Sequence, residues 1–181
     1  MKIIQNIREK FAKSFLLEQV NVLERNQKQI NLESAKTVAL LYYLPDEATY
    51  KIMETILSRF NDMNLKVRVV CYTDLKIIPH YFIPKITQDI ITAKDTNWRY
   101  QPQKAFVKEF INTEYDILID ISLNDYLPLL YCAALSKSSL KVGRFQEDHK
   151  FFYDLLIHAS PEETIDSFIG QVIHYLSRIN N

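Results

Sequence analysis

The side chains best suited to chemistry gather in Asp120-Ile-Ser-Leu-Asn-Asp125, with Arg144 downstream and Asp46 far upstream. A carboxylate at Asp120 supplies a base or a ligand contact, and Arg144 supplies a partner for an anion. Open α/β sheets bind ligands beyond the carboxyl ends of their strands. Set there, Asp46, Asp120, Ser122, Asn124, Asp125 and Arg144 line one ligand pocket. The competing reading has Asp120 bonding nearby backbone amides and Asn124 or Asp125 capping the next helix.

Other chemistry is poorly supported. His80, His149, His158 and His174 share no metal-ligand spacing and have no nearby cysteine. His149, in the charged run Glu147-Asp148-His149, is expected to face solvent, and His158 to be a satisfied structural histidine at a strand end. A nucleophile elbow needs glycines that no serine here has, and Cys132 on an apolar helix reads as core. No catalytic residue, no metal and no cofactor are assigned.

Glycine argues in the same direction, because it occurs only at Gly143 and Gly170. A dinucleotide fingerprint needs three close glycines and a phosphate loop two. The clear helix starts carry Asp46 and Glu47, Asp125, then Glu162 and Glu163, which fill the amide sites a phosphate would use. With Asp125 as N-cap, Pro128 falls at the third helical position and removes another donor.

The chain has 181 residues, 48% hydrophobic and 24% charged, which suits one globular domain. Its 22 basic residues equal its 22 acidic ones, so no field draws in nucleic acid. The distant Cys71 and Cys132 read as reduced thiols of a cytoplasmic protein. No secretory leader and no membrane span are expected.

These candidates need elements to position them. Residues 2–29 read as one or two helices. A continuous apolar run at 37–43 suits a strand covered on both faces, hence a mostly parallel sheet. A second strand reads at 65–72 and the clearest central strand at 115–122. A further strand is expected at 139–145, a last one at 151–159 and a short one at 89–92. Helices are expected from Asp46 with Ile52, Ile56 and Phe60 inward, and over 103–112 and 125–136. The closing helix reads from a box with Ser160 at N-cap, Pro161 first and Glu163 third, followed by Ile165, Phe168, Ile169, Val172 and Leu176 on one face. Alternating strands and helices give an α/β fold of Rossmann or flavodoxin type, three-layered. Residues 1–30 form an extra helical arm, and 31–181 the single domain.

The arm carries Ile4, Ile7, Phe11 and Phe15 at helical spacing, rimmed by Arg8, Lys10 and Lys13. Such a stripe seeks a groove on its own sheet or on another molecule. A homodimer or a protein partner through this helix is the expectation. Trp98, between Asn97 and Arg99, either anchors a partner or lids the core.

Three segments, Tyr115-Asp-Ile-Leu-Ile-Asp-Ile-Ser122, Asn124-Asp-Tyr-Leu-Pro-Leu-Leu-Tyr131 and Lys141-Val-Gly-Arg-Phe145, resemble an uncharacterised family of Bacteroidota proteins that carries no known activity. The stretch from Asp116 to Asp120 with Val142 to Phe145 is also similar to the N-terminal half of heptosyltransferase-type glycosyltransferases. That likeness implies the same fold and a nucleotide-binding or glycosyltransferase-like remnant near Asp120. The glycine turn of those enzymes is replaced here by Leu44-Pro-Asp-Glu47, and 181 residues leave no room for their nucleotide-sugar domain. The residues together therefore point first to a non-catalytic interaction or self-association module.

Overall fold

The computed structural model describes residues 2–179, and side chains over residues 4–179. Six strands form one sheet: β1 Thr37–Tyr43, β2 Lys66–Thr73, β3 Gln88–Thr92, β4 Ile117–Asp120, β5 Leu140–Arg144 and β6 Leu155–Ile157. The order is β3-β2-β1-β4-β5-β6 and every pairing of named strands is parallel. This is the doubly wound Rossmann order, not that of flavodoxin. The apolar runs in β1 and β4 explain it, since strands buried on both faces must sit centrally. Leu41 aligns with Asp120, so β1 and β4 are neighbours where the strand order reverses.

Helices α1 Lys2–Asn21, α2 Glu47–Asp62, α3 Ala105–Asn112, α4 Leu127–Leu135 and α5 Ile165–Leu176 complete the domain. Side chains alternate across the sheet. Val38, Leu40 and Tyr42 share one core with α2 and α5, while Ala39 and Leu41 share the other with α3, α4 and α1. In α4 every side chain from Leu127 to Ala134 is buried. A helix apolar all round needs cover away from the sheet as well as from it. Ala12 and Leu16 of α1 help supply that cover and are fully buried there.

Several boundaries differ from expectation. Helical structure in the arm ends at Asn21, and residues 23–31 carry none. They run past the amino end of the sheet, where Arg25 bonds the Ser138 and Ser139 carbonyls and Leu32 enters the α2 side core. On α2 the buried stripe is Met53, Ile56, Leu57 and Phe60, whereas Ile52 is exposed. The last strand shrinks to three residues, because a 3-10 turn over Glu147–Phe151 precedes it. Ser160 does not cap α5. Its turn closes on itself, with the Glu163 amide donating to the Ser160 carbonyl at 3.1 Å. Thr164 is the cap instead, accepting from the Ser167 amide at 3.2 Å.

Lys141 was not foreseen as special, yet it is 2% exposed on the α4 side of β5. Its Nζ donates to the Ala134 carbonyl at 2.7 Å in the last turn of α4, where the helix dipole favours a cation. Burial, with the nearby Arg25 charge, still lowers its pKa to about 7. The unfolded amine holds its proton up to 10.5, so above 7 the unfolded chain binds more protons and stability should rise with pH. Urea denaturation from pH 7 to 9 should show that rise, up to about 1.4 kcal/mol per unit. Lys141→Met should flatten it, and an unchanged slope would dismiss the lysine as its source.

Candidate functional site

The carboxyl ends of β4 and β5 carry the charge cluster. Asp120 ends β4 fully inside, accepting from the Tyr153 hydroxyl at 2.7 Å and the Ser122 amide at 2.9 Å. Burial raises the Asp120 pKa, and those two bonds only partly offset it. Burial likewise holds the Tyr153 phenol far above its ordinary value, with the Asp120 charge adding to the effect. Tyr153 therefore stays the donor.

Gly143 makes this bond possible. A Cβ there would stand 2.7 Å from the Tyr153 ring, so only glycine lets the ring lie flat on β5. One of the chain's two glycines is thus spent on positioning a side chain, not on cradling a phosphate.

Asp125 gathers the other charges. Arg144 Nη2 lies 3.1 Å and His149 Nε2 3.4 Å from Asp125 Oδ1, and Lys13 of α1 lies 3.7 Å from Oδ2. Lys13 also reaches Asp148 at 2.6 Å. Burial works against the Asp125 carboxylate, but these cations outweigh it and lower its pKa. His149 is 6% exposed, which corrects the solvent-facing expectation. Its Nδ1 meets the Arg144 carbonyl at 3.0 Å, and the 3-10 turn folds its ring inward against Tyr153. Burial opposes the imidazolium, yet Asp125, the Arg144 carbonyl and the Asp120 charge prevail and raise its pKa.

The cavity enclosed by this cluster holds about 10 Å³, roughly one water. Ser122 Oγ, Arg144 Nε and His149 Nε2 line it and have no hydrogen-bond partner among the described residues. Five of the six expected pocket residues meet here: Asp120, Ser122, Asn124, Asp125 and Arg144. Asp46 does not. Its carboxylate accepts from the Thr49 amide at 2.8 Å and caps α2. Asp125, expected as a cap, is occupied by the cations, and α4 starts one residue later from Tyr126 with no side-chain cap. Pro128 then falls at the second helical position, where no amide partner is lost. Sequence reasoning missed His149, Tyr153 and Lys13. The Gly143 strand glycine was the available signal for Tyr153, since it marks a close approach.

Beside this cluster, the crevice between β1 and β4 holds about 240 Å³ and is lined by Tyr43, Pro45, Ser122 and Asn124. Tyr43 and Tyr126 stack across it with ring centroids 3.9 Å apart. Tyr43 and Tyr72 both donate to Asp74, at 2.9 and 2.8 Å. Aromatic rings and carboxylates thus take the space where a doubly wound sheet receives phosphates. Among the described residues no group of three His, Cys, Asp or Glu side chains can hold a metal ion.

What this arrangement can do is hold the Tyr153 hydroxyl on the buried Asp120 and tie Arg144, His149 and Lys13 to Asp125. Gly143→Ala should displace Tyr153 and cost about 1–3 kcal/mol in urea denaturation, with an unchanged midpoint counting against the packing role. His149 gives a second expectation. A raised folded pKa stabilises below the ordinary imidazole value of 6.5, and that gain is lost as pH rises through the folded value. The melting-temperature gap between the native chain and His149→Gln should be widest just below 6.5 and narrow above it. A gap independent of pH would refute the pairing.

Neither a curated protein nor a solved structure matches the chain. A family model described as a family of unknown function (DUF6913) matches residues 8–179, from within α1 to the end of the described structure. The match spans the whole sheet, all the charge cluster and most of the arm, and so the chain belongs to this family of unknown function.

Proposed function

We propose that this domain is a non-catalytic module that binds a second copy of itself, or another protein, through the outer face of α1 and the Trp98 loop. One observation carries the reading. Ile4, Ile7, Phe11 and Trp98 are 66%, 49%, 57% and 54% exposed. Only the Ala12 and Leu16 side of the helix is fully buried within the domain, with Phe15 half-buried between the two faces. Aromatic and arginine side chains in a fixed arrangement are what protein interfaces favour. Arg8 Nε donates to the Trp98 carbonyl at 2.6 Å, and its guanidinium lies 4.4 Å from the centre of the Tyr100 ring. Arg99 lies 4.8 Å from the Trp98 ring centre, and Phe11 meets Trp98 edge-on at 6.3 Å. Asn97 Oδ1 accepts from the Arg99 and Gln101 amides and braces the loop. The patch is pre-formed, so little ordering entropy opposes docking.

A glycosyltransferase-like or nucleotide-binding remnant is the weaker reading. The segment that resembles heptosyltransferases is engaged internally, with Asp116 holding the Thr37 and Lys36 amides and Asp120 holding Tyr153. The enclosed cavity admits no sugar, and Asp46 opposes phosphate at the start of α2. Buried free thiols at Cys71 and Cys132 suit a reducing, cytoplasmic setting, which belongs to the same proposal.

The test is the double variant Phe11→Ser with Trp98→Ser in the full chain. Light scattering and pull-down from the native cells should show an oligomer or a retained partner for the unaltered chain. The variant should lose it with a nearly unchanged melting temperature, since both side chains are already in water. A native chain that is monomeric and retains nothing overturns the reading, as does a variant that keeps its partner.

A further inference from the structure

We propose that the groove between α3 and α4 binds a small organic anion, its charged head at the start of α3 and its apolar body along both helices. The groove encloses about 320 Å³. Its charged end begins where α3 does. Among the described helices α2 and α5 carry side-chain caps, Asp46 and Thr164, and an acidic residue in the first turn. Helix α3 has neither, and its N-cap position is held by a lysine, Lys104. The first amides of any helix lack intrahelical acceptors and sit at the positive end of its dipole. Here Ala105 at the helix start is exposed, and so is Lys108 one turn on. Lys104 is held by Asp95 at 2.9 Å, which leaves Lys108 as the cation free to meet a ligand.

A second observation comes from α4. Tyr131 is 2% exposed and lines the same groove, and its hydroxyl has no hydrogen-bond partner among the described residues. Buried hydroxyls are almost always partnered, so an orphan lining a groove marks a place where a ligand completes the bonding. Burial raises the pKa of this phenol, so the hydroxyl keeps its proton and can donate to an anion. Val107, Ile111 and Leu135 give the groove an apolar wall along both helices, and Gln101 and Gln103 line its loop side. Lysine, free amides and a hydroxyl at a mixed apolar wall recognise a phosphate or carboxylate attached to a ring or short chain. The Tyr131 ring also packs on Phe15 of α1, with centroids 6.2 Å apart.

The probe is phenyl phosphate, titrated into the full-length chain and followed through backbone amide resonances. Saturable shifts are expected at Ala105 and Phe106. Inorganic phosphate should move the same amides with several-fold weaker affinity, and phenol should leave them unmoved. Lys108→Gln, a surface change, should weaken phenyl phosphate several-fold. Tyr131→Phe should also weaken it while the chain stays folded, because the removed hydroxyl has no internal partner. Equal affinity for phosphate and phenyl phosphate overturns the apolar half of the site. Absence of saturable shifts, or affinities untouched by Lys108→Gln, overturns the whole.

Discussion

Helix α4 sets the constraint from which much of this molecule follows. Its sequence Leu-Pro-Leu-Leu-Tyr-Cys-Ala-Ala-Leu offers water no polar face, so burial on the sheet alone would leave its outer side wet. Burying a leucine is worth about 1.5–3 kcal/mol, and Leu127, Leu129 and Leu130 of α4 are all buried. Helix α1 meets that demand through Ala12 and Leu16. Once docked, it brings Lys13 to Asp125 and Asp148 and holds the Trp98 loop through Arg8. The same docking turns Ile4, Ile7 and Phe11 outward. Core cover and an exposed apolar face are thus two sides of one helix.

The charge cluster obeys a different economy. Asp120, Asp125, Arg144 and His149 lie where burial penalises each charge separately, and removing one partner strands the others. Such a cluster stiffens the carboxyl ends of β4 and β5 and ties them to the turn before β6.

A doubly wound sheet is often read as a nucleotide fold, but fold and function are separable. In this chain the strand order is that of Rossmann domains, whereas the phosphate-binding parts are absent from the first turn. Asp46 caps α2 in place of a phosphate, and the crevice carries a tyrosine stack. The helix starts without a side-chain cap are those of α3 and α4, on the opposite face of the sheet from α2.

Much of the fold was legible in the residues themselves. The continuous apolar run of 37–43 identified β1 as a buried parallel strand, because two covered faces leave no place for alternation. Strands β2 and β4 were legible as strand-length apolar-rich segments. Glycine scarcity spoke against phosphate loops, since no other residue allows that close an approach. Local chemistry failed where several side chains competed for one partner. Ser160 looked like a cap but closed its own turn, and Asp125 was claimed by Arg144, His149 and Lys13 before it could cap α4. His149 looked solvated beside Glu147 and Asp148, yet a 3-10 turn carried it inside. The sequence by itself determined strands, layers and core, because burial depends on residue type and period. Only the tertiary structure decided which ionisable groups share a cavity, which face of α1 stays wet and which helix start stays bare. Those outcomes depend on contacts between residues far apart in the chain, and no local pattern records them.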